Sequence, residues 1–176
     1  ISTDDTTRIN LTDKELNRVL GGGLVPGSVV LIGGEPGIGK STLLLQISLN
    51  LKLKVLYVTG EESLQQIKLR SNRINSDSNE CYVFNETNVE SITNQINKIN
   101  PDLVVIDSIQ TLHTNILASS PGSVSQIKES TSCFLNFAKK TSIPFLIVGH
   151  ITKDGGIAGP KVLEHMVDVV LHFEGD

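Results

Sequence analysis

The sequence is short of the residues that usually dominate a core or cross-link a chain. It has no tryptophan, one methionine, two cysteines and 4% aromatic residues among 176. Aliphatic packing must therefore carry the interior. Cys81 and Cys133 lie far apart and form no C-x-x-C pair, which excludes a zinc knuckle or a paired redox motif; two buried, reduced thiols are expected. A basic balance is missing too. With a formal net charge of −4, the chain carries no global electrostatic footprint for nucleic acid, so a DNA contact would need a local basic strip or a ring of subunits. There is no secretory h-region and no apolar run long enough to span a bilayer. A cytoplasmic setting without a membrane partner is the expectation. The length suits one domain with one core. The chain opens on Ile1 and closes on Asp176 directly after an apolar run, so it reads as a segment of something longer.

What is present begins with Gly34-Glu35-Pro36-Gly37-Ile38-Gly39-Lys40-Ser41, which fits the phosphate-loop pattern G-x-x-x-x-G-K-[ST]. It follows the apolar run Val29-Val30-Leu31-Ile32 and leads into a helical sequence over 41–51 that starts with Ser41 and Thr42. A strand, a glycine-rich turn and a helix in that order aim backbone N–H groups and the positive end of a helix at phosphate oxygens. Lys40 is placed to reach the β- and γ-phosphates of ATP, and the Ser41 hydroxyl to ligate Mg²⁺.

Before that loop, Leu11, Leu16, Val19 and Leu20 share a helical face with Thr12 as its N-cap, and Gly21-Gly22-Gly23 ends the helix. After it come strands expected at 55–59, 81–84, 103–106, 145–148 and 167–173. Helices are expected at 64–73, capped by Ser63, at 88–99 and at 124–140, with Val124, Ile127, Phe134, Leu135 and Ala138 toward the core. A helical turn is expected near 162–165. Short apolar strands alternating with helices predict an α/β fold: a mostly parallel sheet with helices on both faces and a ligand at the carboxyl ends of the strands.

Asp107 ends the fourth strand after four apolar residues, where a Walker B acid holds Mg²⁺ beside Ser41. Glu61 and Glu62 end the second strand. One of them would orient and deprotonate the attacking water; the competing reading is a pair of first-turn acids favoured by the helix dipole. His150 follows the fifth strand, close to Asp107 across the sheet's edge, as a sensor of the γ-phosphate or as a hydrogen-bonded, half-buried histidine. His113, His165 and His172 show no ligand spacing. The Gly/Pro-rich stretch 152–161 reads as a mobile loop, with Lys153 and Lys161 placed for phosphate contact.

Several longer runs add specificity: Leu20-Gly21-Gly22-Gly23, Gly60-Glu61-Glu62-Ser63, Lys68-Leu69-Arg70, Asp107-Ser108-Ile109-Gln110-Thr111, Ser120-Pro121-Gly122-Ser123-Val124-Ser125-Gln126 and Gly159-Pro160-Lys161-Val162-Leu163-Glu164-His165. Together they make the chain, from about Arg8 onward, resemble the bacterial RadA (Sms) DNA-repair ATPases. The resemblance implies a RecA-like P-loop NTPase core over 1–176. It implies ATP hydrolysis, binding of single-stranded and branched DNA, a hexameric homo-oligomeric ring and the recombinase RecA as partner. By position it makes Gly34 to Thr42 the nucleotide loop, Lys40, Glu61 and Asp107 the catalytic set, and Ser41 and Asp107 the Mg²⁺ holders. Arg70 would lie beside the adenine, and His150 would act as sensor. Ser123, Gln126, Lys153 and Lys161 would lie on the two DNA loops, 116–126 and 152–161. The zinc finger, the Lys-Asn-Arg-Phe-Gly motif and the Lon-protease-like domain of full members are not within these residues. A KaiC-like, ATP-gated assembly module without DNA translocation is the alternative reading.

Overall fold

The computed structural model describes residues 7–73, 80–151 and 160–174. Among the described residues six strands form one sheet: β1 (Val29–Gly34), β2 (Val55–Thr59), β3 (Cys81–Asn85), β4 (Leu103–Asp107), β5 (Phe145–His150) and β6 (Val169–His172), in the order β3-β2-β4-β5-β1-β6. Every neighbouring pair is parallel. The helices are α1 (Lys14–Val19), α2 (Lys40–Asn50), α3 (Leu64–Ser71), α4 (Val89–Ile99), α5 (Val124–Thr141) and α6 (Pro160–Leu163), with a 3-10 turn at Ile109–Thr111.

Strand alternation divides the core into two layers. Val29 and Leu31 of β1 face α4, α5 and α6, packing with Ile92, Ile96, Ile127, Phe134 and Leu163. Val30 and Ile32 face α1, α2 and α3, packing with Leu16, Leu44, Leu45 and Ile67. The strands β1, β2 and β4 are buried along their full length, as expected of a parallel sheet covered on both faces. Each fully buried aliphatic side chain contributes about 1.5–3 kcal/mol of transfer free energy, so low aromatic content is no obstacle to a core. Phe134 nevertheless stacks on Phe145 with ring centroids 5.2 Å apart.

Three expectations are corrected. Asp13, not Thr12, caps α1: its side chain accepts from the Leu16 amide at 2.8 Å, while Thr12 sits at φ 66°. Val124 is 47% exposed, because the first residue of α5 lies at the mouth of the preceding loop rather than over the sheet. Cys81 and Cys133 are free but half-buried; burial pushes the Cys81 thiol up to about 11. Among the described residues no helix is long and apolar enough to cross a membrane.

Candidate active site

Parallel pairing sets four strand ends side by side. Gly34 pairs with His150, Thr59 with Asp107, and Asp107 with Val148. Residues 34–41 therefore open next to Asp107, Glu61 and His150, although these are distant in sequence. Gly39, the N-cap of α2, has φ 103°, a left-handed conformation that a side chain would strain. The turn it permits starts α2 at Lys40. Lys40 is 2% exposed, and its ammonium donates to the carbonyls of Gly34 at 2.7 Å and Glu35 at 2.6 Å. Burial lowers its pKa, and the carboxylates of Asp107, Glu61 and Glu35 oppose that shift.

Asp107 is 1% exposed. Its Oδ2 accepts from the Tyr57 hydroxyl at 2.9 Å, whereas Oδ1 is buried and has no hydrogen-bond partner among the described residues. Burial raises the Asp107 pKa, and the nearby Ser41 and Tyr57 hydroxyls pull it back. Burial likewise raises the pKa of Tyr57, which keeps it a proton donor. A buried carboxylate with one orphaned oxygen beside a loop serine is a hard-oxygen pair suited to a divalent cation. Mg²⁺ held by Ser41 and Asp107 fits these residues. The peptide bond joining Asp107 to Ser108 is cis.

The two adjacent glutamates have different surroundings. Glu61 Oε1 accepts from the Ser108 hydroxyl at 2.7 Å and from His150 Nε2 at 2.9 Å. The hydrogen bond from His150 is the main cause holding the Glu61 carboxyl below the usual range; burial opposes it, and Ser108 assists. An ionised carboxylate only accepts, so His150 carries its proton on Nε2, and its buried Nδ1 has no partner among the described residues. Glu62 pairs instead with Arg70, which also donates to the Thr42 hydroxyl at 3.2 Å. Neither glutamate is a first-turn acid of α3, whose start is closed by a capping box of Ser63 and Gln66. One ligand atom each from Glu61, Asp107 and His150 lies within 4.8 Å of the others.

The residues expected on DNA loops are arranged differently. Gln126 is 1% exposed. Its Oε1 accepts from the Thr114 amide at 2.9 Å, and its Nε2 donates to the Ser119 carbonyl at 2.8 Å and, at 3.4 Å, to those of Thr114 and Leu117. In this conformation it is committed to shaping residues 114–119 and is not presented to a ligand. Ser123 caps α5, its hydroxyl accepting from the Gln126 amide. Lys161 is exposed on α6; Lys153 and most of 152–161 lie outside the described residues. Sequence reasoning gave no role to Tyr57, Ser108 or Gln110. Tyr57 carries the one hydroxyl-tipped aromatic ring in β2, and Ser108 and Gln110 directly follow Asp107, so position was the available signal.

A glycine-rich strand-to-helix loop, a buried acid two strands away and a carboxylate facing both define a RecA-like P-loop NTPase core. A family model described as AAA domain matches residues 2–156, and the chain belongs to that family. It is also 55% identical to a DNA repair protein RadA of Halalkalibacterium halodurans, 54% to one of Listeria monocytogenes and 52% to one of Bacillus subtilis. Each match covers 100% of this chain and 39% of the relative. The resemblance to bacterial RadA read from the motifs is borne out across the chain. The chain spans about two-fifths of the length of these relatives.

Proposed function

We propose that this chain is the ATP-binding and ATP-hydrolysing core of a DNA-repair protein that works on single-stranded and branched DNA. The observation that carries the reading is the convergence of Lys40, Glu61, Asp107 and His150 at one end of the sheet, beside a loop able to hold a triphosphate. Backbone N–H groups of residues 34–41 and the Lys40 ammonium bind and orient the β- and γ-phosphates. Lys40 exchanges its two carbonyl acceptors in the loop for phosphate oxygens. Ser41 and Asp107 would hold Mg²⁺, which would neutralise charge on the phosphates when bound. Glu61 accepts a proton from the attacking water. Its Oε1 is fixed by Ser108 and His150, so the carboxylate is oriented before substrate arrives. Arg70, anchored on Glu62 and Thr42, would lie beside the adenine.

The DNA assignment is supported by the relatives named DNA repair protein RadA. In sequence, 116–126 follows Asp107 after the turn Ile109–Thr111, and 152–161 begins two residues after His150, so DNA bound at these segments would be joined to the hydrolytic groups through short stretches of chain. With a net charge of −4 on one chain, a closed ring that gathers lysines from several copies is the assembly that suits a polyanion. Recombinase RecA is the proposed partner and the cytoplasm the proposed location.

The test is ATP turnover by the protein in its full natural length, with and without single-stranded DNA. Turnover should rise with DNA and vanish in Lys40→Ala. Unchanged turnover in that variant would sink the ATPase assignment. Nucleotide-dependent assembly without DNA stimulation would replace the motor with an ATP-gated assembly module.

A further inference from the structure

The β4–β5 ladder ends at the pair Asp107–Val148, leaving Gly149 and His150 without a partner on β4. A side chain takes over there. Gln110, in the turn Ile109–Thr111, donates from Nε2 to the His150 carbonyl at 3.0 Å and accepts at Oε1 from the His150 amide at 3.3 Å. Main-chain polarity fixes that orientation: a flipped amide would set N–H against N–H and oxygen against oxygen. One glutamine thus supplies both bonds that a further strand residue would have made.

His150 is the residue whose ring meets Glu61 at 2.9 Å. One position on, the Ile151 amide donates to the Gly34 carbonyl at 2.9 Å, the same oxygen that accepts from Lys40 at 2.7 Å. The end of β5 is therefore gripped by Gln110 on one side, by Glu61 at its ring, and by the phosphate loop through its neighbour. The turn that carries Gln110 is itself fixed. Thr111 Oγ1 donates to the Ser108 carbonyl at 2.8 Å, and Ser108 reaches Glu61. Gly60 leaves room for this turn, since a Cβ there would sit 2.2 Å from Thr111 Oγ1.

We propose that Gln110 is a positioning residue for hydrolysis. It holds β5 beyond the end of its ladder so that His150 meets Glu61, and it ties residues 112–123, which leave the same turn, to that alignment. The proposal rests on the reading of Glu61 as the group that orients water. It gives the chain a physical link between a segment offered to DNA and the hydrolytic carboxylate: displacement of the turn moves His150, and with it the hydrogen bond on Glu61.

The test is steady-state ATP hydrolysis by Gln110→Met in the full-length protein. This variant keeps the length of the side chain and removes both hydrogen bonds. The expected result is a roughly tenfold fall in kcat with KM for ATP within about twofold, because no phosphate-binding group is touched. A role confined to general stability would not split the two constants in that way. In a His150→Ala background the same substitution should cost less than about twofold more, because the two act through one alignment. Should Gln110→Met fail to fold, Gln110→Glu serves instead. It keeps an acceptor for the His150 amide and sets a carboxylate against the His150 carbonyl, and a similar kcat loss is expected. Wild-type kcat in either folded variant, or an undiminished loss in the His150→Ala background, overturns the proposal. A Glu61→Gln protein with normal turnover would instead defeat the underlying assignment of Glu61. A dead Glu61→Gln beside a normal Gln110→Met would defeat the Gln110 role alone.

Discussion

The cleft around Asp107 and the base of the 112–123 segment both bury polar side chains against the same end of the sheet, but they leave different things unfinished. In the cleft the groups are charged or titratable, and two buried atoms, Asp107 Oδ1 and His150 Nδ1, have no partner among the described residues. At the loop base the central group is the neutral amide of Gln126, which spends both ends on main-chain atoms of residues 114–119. Glu90 supports it, taking the Thr114 hydroxyl at 2.5 Å and the Asn115 amide at 3.0 Å on Oε1, and only its Oε2 is left over. Open valences on titratable groups beside the phosphate loop leave work for a ligand, whereas a saturated amide holds a shape. Substitutions in the first cluster should therefore move chemistry, and substitutions in the second should move stability.

The sharpest way to break that contrast is Glu61→Gln. It keeps size and removes the proton acceptor. ATP turnover should fall by about 10²–10⁴-fold while nucleotide affinity, measured by calorimetry, stays near wild type, because the phosphate loop is untouched. A loss of affinity equal to the loss of turnover would mean that Glu61 is part of the binding frame, and the distinction between the clusters would fail on its active side.

The opposite test is Gln126→Ala. It leaves the buried Thr114 amide and several loop carbonyls without their partner, at a cost of roughly 2–4 kcal/mol in urea unfolding. Turnover per folded molecule without DNA should change less than about threefold. If DNA affinity fell with no change in unfolding free energy, Gln126 would be a contact residue after all, and its burial here would describe one state of a loop that rearranges.

Most of the sheet was legible because buried parallel strands read as unbroken aliphatic runs. Where β1 and β5 were read two residues short, the reason is glycine. The run at Val29 predicted an end at Ile32, but Gly33 and Gly34 continue the ladder through Gly149 and His150. Pairing there is made by main chain alone, with no side chain to announce it. Those unannounced residues carry the phosphate loop and His150 to the same level, so the gap in legibility fell at the site. The phosphate loop, Asp107 and the adjacent pair Glu61 and Glu62 stood out by position in the sequence, and only the resemblance singled out Glu61. The different surroundings of Glu61 and Glu62 were not legible, since Arg70, Ser108 and His150 choose between them only in three dimensions. Gln126 was placed on a DNA loop by the resemblance alone, while its position on the buried stripe of α5, with Ile127, Ser130, Phe134 and Ala138, marks it as inward.

The smallest predicted effect concerns pH, and it probes whether His150 belongs with the chemistry. The Glu61 carboxyl lies below its ordinary 4.5, first because of the hydrogen bond from His150 and next, against burial, because of Ser108. A carboxyl depressed in the folded state favours the ionised form. Its contribution is complete above 4.5 and is lost as pH falls through the lower folded value. With 37% of the side chain exposed, solvent screens that contribution to stability, so the readable consequence is kinetic. In His150→Ala the leading cause is gone while burial remains, so the Glu61 pKa rises. The acid limb of the kcat–pH profile should move to higher pH, and turnover near neutrality should fall less than in Glu61→Gln. An acid limb that stays in place while turnover drops would separate His150 from the protonation of Glu61 and leave it acting on geometry alone.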